Sequence, residues 1–313
     1  MDFQRFKPHL PWITLLVLVA LVGVVDDTFL RPANLLSLAG DIVPLFIMAL
    51  GLTFAIYIGG IDLSAQSMAN LITVVASVYL ASMVAWVALL CVIVGFGLGM
   101  ISGYVTTRLL VPSFISTLAV GGVAFSLAQY LSGQRALNMD AMQRDAVFGW
   151  MIGKTGMIPN ELFIAAGLLA ITLFIERRTT LGRALKAVGA GEPAAAASGL
   201  NVARYKILAF AISGALAAIA GLLFSVKLSG GAPTIANGFL LPAIVAVLVG
   251  GTPLTGGVGG VLNTAIGTLI VAVIRASMLY FDIQATQQQM VFGLVLIGAI
   301  ALTIDRAKLR TVK

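Results

Sequence analysis

Apolar runs about as long as a bilayer is thick recur from one end of this chain to the other, and no other feature constrains its fold as tightly. A helix rises about 1.5 Å per residue, so roughly 20 apolar residues cross a hydrocarbon core about 30 Å thick. Of 313 residues, 60% are hydrophobic and 10% are charged, against roughly 25% charged in an ordinary soluble domain. No water-soluble fold hides that much apolar surface. The expected class is an all-α integral membrane protein.

Apolar length and helix breakers place spans near residues 12–25, 35–58, 63–80, 85–107, 113–131, 161–175, 206–226, 235–251, 258–280 and 288–304. That makes about ten transmembrane helices in one transmembrane domain, covering residues 1–313. The first run follows Arg5 and Lys7, as in a signal peptide, but no small-x-small cleavage site follows Val25, so it reads as a retained span.

An even number of spans puts both termini on one side, and the positive-inside rule selects the cytoplasm. On that topology thirteen of the nineteen basic residues are cytoplasmic: Arg5 and Lys7, Arg108, six between Arg177 and Lys206, and four between Arg306 and Lys313. The pI near 9.8 is thereby assigned to topology and anionic lipid, not to nucleic acid. An external loop at about 132–160 carries Trp150 and mixed charge, which suits an interfacial lid. A cytoplasmic loop at about 176–205 holds the alanine-rich stretch Glu192 to Ala197. Alanine favours helix, Pro193 suits a first turn and Gly199 suits a C-terminal cap, so a short helix is expected along the cytoplasmic face.

The polar inventory argues against catalysis. The single histidine, His9, and the single cysteine, Cys91, stand far apart, which leaves no nucleophile–base pair and no metal-ligand set. Gly149 and Gly153 enclose three residues where a phosphate-binding loop needs four, so Gly153-Lys154-Thr155 is not read as a nucleotide site. No cofactor is expected in this chain, and any ATP would be bound by a separate subunit.

Several residues remain as candidates. Asp62 stands between two spans after Gly59-Gly60, where it either caps the next helix, touches a transported ligand, or serves gating and partner contact. Gln66 and Asn70 are four apart, hence on one helical face, and either line a polar path or bond to a neighbouring helix. Gly95, Gly99 and Gly103 form a stripe for close helix packing. The run from Gly250 to Gly260 is either a tight turn at the inner mouth or a moving gate.

Five motifs then carry a resemblance. Gly-Gly-Ile-Asp-Leu-Ser at 59–64, Phe-Ile-Ser-Thr-Leu at 114–118, Thr-Leu-Gly-Arg at 180–183, Gly-Glu-x-Ala-Ala-x-x-Ser-Gly-Leu-Asn at 191–201, and Gly-Gly-Thr-x-x-x-Gly-Gly at 250–257 lie in order along nearly the whole chain. Together they resemble the ribose, xylose and arabinose permease family of bacterial ABC importers. The resemblance implies a permease in the inner membrane that partners a second permease chain, an ABC-type ATPase inside and a periplasmic sugar-binding protein outside. It implies ATPase coupling through Gly189, Gly191, Glu192, Ala195, Ala196, Ser198, Gly199 and Asn201. It also points to Asp62, Ser64, Gln66, Asn70, Thr117, Asn237 and Thr252 as path or gate residues. The chain departs from the family pattern at Ser64-Ala65-Gln66, at Phe239-Leu240, where an acidic residue is usual, and at Ala128-Gln129.

The function expected is therefore one half of an ATP-driven path for a monosaccharide or sugar-like polyol. The rival reading, a stand-alone secondary transporter or channel, needs an intramembrane proton or ion relay, and the spans offer only Asp41 and Asp62.

Overall fold

A computed structural model describes residues 10–280 and 283–303. The helices are α1 (Leu10–Val25), α2 (Pro32–Asp41), α3 (Val43–Tyr57), α4 (Ala65–Met83), α5 (Trp86–Arg108), α6 (Ser113–Ser132), α7 (Ala141–Ile152), α8 (Asn160–Arg178), α9 (Thr180–Ala190), α10 (Glu192–Ala197), α11 (Val202–Leu228), α12 (Leu240–Val249), α13 (Val261–Tyr280) and α14 (Ala285–Thr303). Two-residue strands β1 (Leu137–Asn138), β2 (Lys154–Thr155), β3 (Ile158–Pro159) and β4 (Gly230–Gly231) pair antiparallel as β1–β4 and β2–β3. The protein is thus all-α in its framework.

Every expected span has a helix in it, but two are not simple rods. The second breaks at Ile42, where α2 and α3 meet at 49°. Pro44 lies in the first turn of α3 and offers no N–H to continue the α2 ladder. The eighth keeps only the ten residues of α12, because 229–239 runs back beside α4 as turns and extended chain. By length and composition α4, α5, α6, α11 and α13 can each cross a bilayer, and the bent α2–α3 pair makes a sixth. Helices α1 and α12 and the apolar part of α14 are shorter. The termini expected in the cytoplasm lie outside the described residues.

Both long loops are more ordered than the sequence reading expected. The segment at 132–160 contains α7 and the first three strands, and the segment at 176–205 contains α9 as well as the expected α10. Helix α10 spans Glu192–Ala197 with Pro193 in its first turn, and Gly199 follows at φ +83°, the left-handed region in which glycine carries no Cβ penalty.

Helix α3 is apolar on all sides, and all of its residues are buried. Its neighbour α11 packs on α3, α4 and α5. The glycine stripe of α5 sets that last contact: a Cβ on Gly95 would strike the Gly214 carbonyl, on Gly99 that of Phe210, and on Gly103 the Ile207 backbone. Small residues let two helices approach to backbone contact, where dispersion replaces a hydrophobic driving force that lipid does not provide.

Candidate functional site

The broken eighth span needs partners for its backbone, since an unpaired N–H or C=O away from water costs about 1–3 kcal/mol. Helix α4 supplies them from one face. Gln66, Asn70, Thr73 and Ser77 recur at helical spacing. Asn70 accepts from Ala236 N at 2.6 Å and donates to Asn237 Oδ1 at 2.9 Å. Gln66 Oε1 accepts from Gly238 N at 3.1 Å, and its amide donates to Asn237 at 3.3 Å. Thr73 Oγ1 accepts from Ala232 N at 3.2 Å. Opposite them, Gln289 of α14 donates to Gly238 O at 3.0 Å, and the Arg275 guanidinium stacks 4.5 Å from the Phe239 ring. Both amides bond to the non-helical segment before α12, and not to a neighbouring helix.

The chain from Gly59 to Ser64 climbs to the start of α4. Ser113 Oγ accepts from Ile61 N, and Thr117 Oγ1 accepts from Leu63 N, each at 3.1 Å. Asp62 is 2% exposed. It accepts from Ser64 N at 2.9 Å, as a cap would, but also from the Ser64 hydroxyl and from Ser213 Oγ at 2.6 Å. The helix begins only at Ala65, so Asp62 ties this segment to α11 and is not a side-chain cap of α4.

Between these walls lies a groove of about 520 Å³, lined by residues that include Ile61, Leu63, Gln66, Gly238, Leu240, Leu254 and Gln289. Among the described residues, none that lines it is charged. Gln66, Asn70 and Asn237 thus come together, with Gln66 and Gly238 on the groove itself. Asp62, Ser64 and Thr117 brace its wall from behind. Thr252 lies apart, fully buried in the glycine-rich turn, where it accepts from Gly260 N at 3.2 Å.

At the other end of α12 the coupling candidates gather. Asn201 caps α11 by accepting from Arg204 N at 3.1 Å, and Glu192 pairs with Lys206. Within α10, Ala195 is buried and Ala196 exposed; Ser198 and Gly199, just past its end, are exposed. Gly189 has no room for a side chain, because a Cβ would strike the Tyr57 carbonyl. Gly191 joins α9 to α10 in extended backbone.

Sequence reasoning missed one node here. Glu176, 7% exposed, pairs with Lys186 at 2.6 Å and accepts from Val261 N at 2.9 Å; Lys186 also donates to Gly259 O at 3.0 Å. An isolated acid before Arg177-Arg178, followed ten residues later by a lysine, was the available signal. Among the described residues no cluster of three or more His, Cys, Asp or Glu could hold a metal.

Comparison with known proteins gives this geometry a context. The family described as branched-chain amino acid transport system / permease component matches residues 34–300. A ribose import permease protein of Haemophilus influenzae is 33% identical, the match covering 92% of this chain and 90% of that protein. One from Bacillus subtilis is 32% identical over 95% and 92%. A xylose transport system permease protein of Escherichia coli is 30% identical over 88% and 86%. No solved structure matches.

Proposed function

This chain belongs to the family of branched-chain-type transport permease components, and from that premise we propose that it forms half of an ATP-driven import path for a neutral monosaccharide or sugar-like polyol. It is a multi-pass permease subunit of the bacterial inner membrane and not an enzyme. The observation that carries the substrate class is the uncharged groove: amides at Gln66 and Gln289 and backbone at Gly238 are set among apolar walls. Hydroxyls are recognised by such amides, whereas an ionic solute requires a counter-charge.

In this reading the chain is one transmembrane domain with about ten crossings and both termini in the cytoplasm. A second permease chain, identical or related, closes the open side of the groove. An ABC-type ATPase docks on α10 from the cytoplasm, and a periplasmic sugar-binding protein delivers solute to the opposite end, near the segment at 132–160. The chain itself holds no cofactor.

A secondary transporter is disfavoured by what its two candidate relay acids do. Asp62 has its oxygens occupied by Ser64 and Ser213, and Asp41 pairs with Lys227 at 3.2 Å. The assembly is tested by co-expressing the chain with an ABC-type ATPase and a sugar-binding protein taken from its own genome. Co-purification with ATPase activity stimulated by the loaded binding protein is expected; a permease that purifies without the ATPase contradicts the reading.

A further inference from the structure

The Glu176–Lys186 node ties α8 and α9, which follow each other in the chain, to the glycine-rich turn and α13, 73 to 85 residues further on. Glu176 lies in the last turn of α8 with its carboxylate buried, and its Oε2 accepts from Val261 N, the first residue of α13. An anion there also favours the positive end of the α13 dipole. Lys186 comes from α9. Its Nζ reaches Glu176 Oε1 at 2.6 Å and Gly259 O at 3.0 Å, and it lies 4.9 Å from the centre of the Tyr57 ring.

The glycine-rich turn is pressed against the same helix. Gly257 N donates to Tyr57 O at 2.9 Å, and a Cβ on Gly257 would come within 2.7 Å of the Ala190 backbone. Gly251, Gly256, Gly257 and Gly259 all have φ between +77° and +103°, so the turn is built from backbone that side chains would stiffen. Its Leu254 lines the groove. One path of contacts thus runs from α10, across the single residue Gly191, through α9 and Lys186 to the turn, and so to the groove.

A buried ion pair is weak evidence for stability, because desolvation offsets its attraction. Its value lies in fixing which groups meet. We propose that Glu176 and Lys186 are positioning residues for transport, which transmit displacement of α10 to the glycine-rich turn so that Leu254 moves when ATP is bound and hydrolysed. This rests on the importer reading above. Lys186 touches no solute; it acts by holding the turn to α9.

The test uses the assembled transporter in nanodiscs with Thr255→Cys as a reporter. Thr255 is exposed on the turn, and the native Cys91 is buried. The rate of maleimide labelling is read without nucleotide and with ATP plus vanadate, beside the ATPase rate. In the otherwise unaltered reporter protein, labelling is expected to change with nucleotide. With Lys186→Met the change is lost while the ATPase subunit still co-purifies and hydrolyses ATP, and Lys186→Arg restores it. Labelling that still responds in Lys186→Met overturns the proposal, as does loss of the ATPase subunit from that variant, which would make the pair an assembly contact. Glu176→Gln supplies an independent arm with the same expectation if Lys186→Met does not accumulate. A reporter protein whose labelling never responds, and whose ATPase subunit never associates, overturns the importer reading itself.

Discussion

Asn70 holds Asn237 across the bundle: its amide donates to Asn237 Oδ1 at 2.9 Å while its own Oδ1 accepts from Ala236 N at 2.6 Å. One side chain thus fixes the point at which the eighth apolar run stops being a helix. Asn70→Leu leaves the buried Ala236 N without its partner, at a cost of about 1–3 kcal/mol, while the exposed Asn237 keeps its bond from Gln66. The expected result is a lower midpoint of thermal unfolding in detergent and a larger loss of transport than for Ser82→Ala, whose hydroxyl bonds only to Tyr79 O on the exposed surface. Equal midpoints for Asn70→Leu and wild type would refute the seam.

Gly99 and Gly97 make a controlled pair on α5. A Cβ on Gly99 would collide with the Phe210 carbonyl, whereas nothing lies within 4 Å of one on Gly97. Overpacking of this kind costs about 1–3 kcal/mol. Gly99→Leu should reduce folded yield in the membrane and Gly97→Leu should not, as measured by fluorescence-detected size-exclusion chromatography. Similar profiles for the two variants would contradict the α5–α11 contact.

Much of this was readable in the sequence, and the failures have physical causes. The ends of α10 were legible because alanines, Pro193 and Gly199 act locally. Helix α9 was hidden by Gly182 and Gly189, which look like breakers. Both are there for space, against the Glu176 and Tyr57 carbonyls. The break before α12 could not be seen in its own apolar run, since it is stabilised by Gln66 and Asn70, residues 171 and 167 positions from Asn237. That Gln66 and Asn70 share a face followed from their spacing alone, while Asn237 entered through the family resemblance. The Glu176–Lys186 pair depends on the turn at Thr179, whose hydroxyl accepts from Gly182 N and bends α8 into α9.

Gly199 tests the docking face. At φ +83° an added Cβ is strained by about 1 kcal/mol, but no neighbour lies within 4 Å of it. Gly199→Ala should therefore alter the end of α10 only slightly. Gly199→Trp should displace the ATPase subunit and abolish transport at unchanged membrane abundance. Unchanged ATPase co-purification and uptake in Gly199→Trp would eliminate α10 as the docking element.

Lys154 provides a negative control for nucleotide chemistry. It lies in β2, paired with Pro159 in a small hairpin, and not at the N-terminus of a helix that could cradle phosphate. The purified chain alone should neither bind nor hydrolyse ATP, and Lys154→Ala should leave the ATPase rate of the assembled transporter unchanged. ATP hydrolysis by the isolated chain that disappears in Lys154→Ala would overturn this.

The central claim is that the uncharged groove carries a neutral sugar under the power of a separate ATPase. Its most direct measurement is uptake of radiolabelled ribose, xylose and related neutral monosaccharides and polyols into proteoliposomes holding the permease and its ATPase, with the binding protein added outside and ATP enclosed. Accumulation of at least one of them that requires both ATP and the binding protein, and that falls with Gln66→Leu, is the predicted result. Uptake that follows an ion gradient without ATP, or that is confined to charged solutes, would contradict the account.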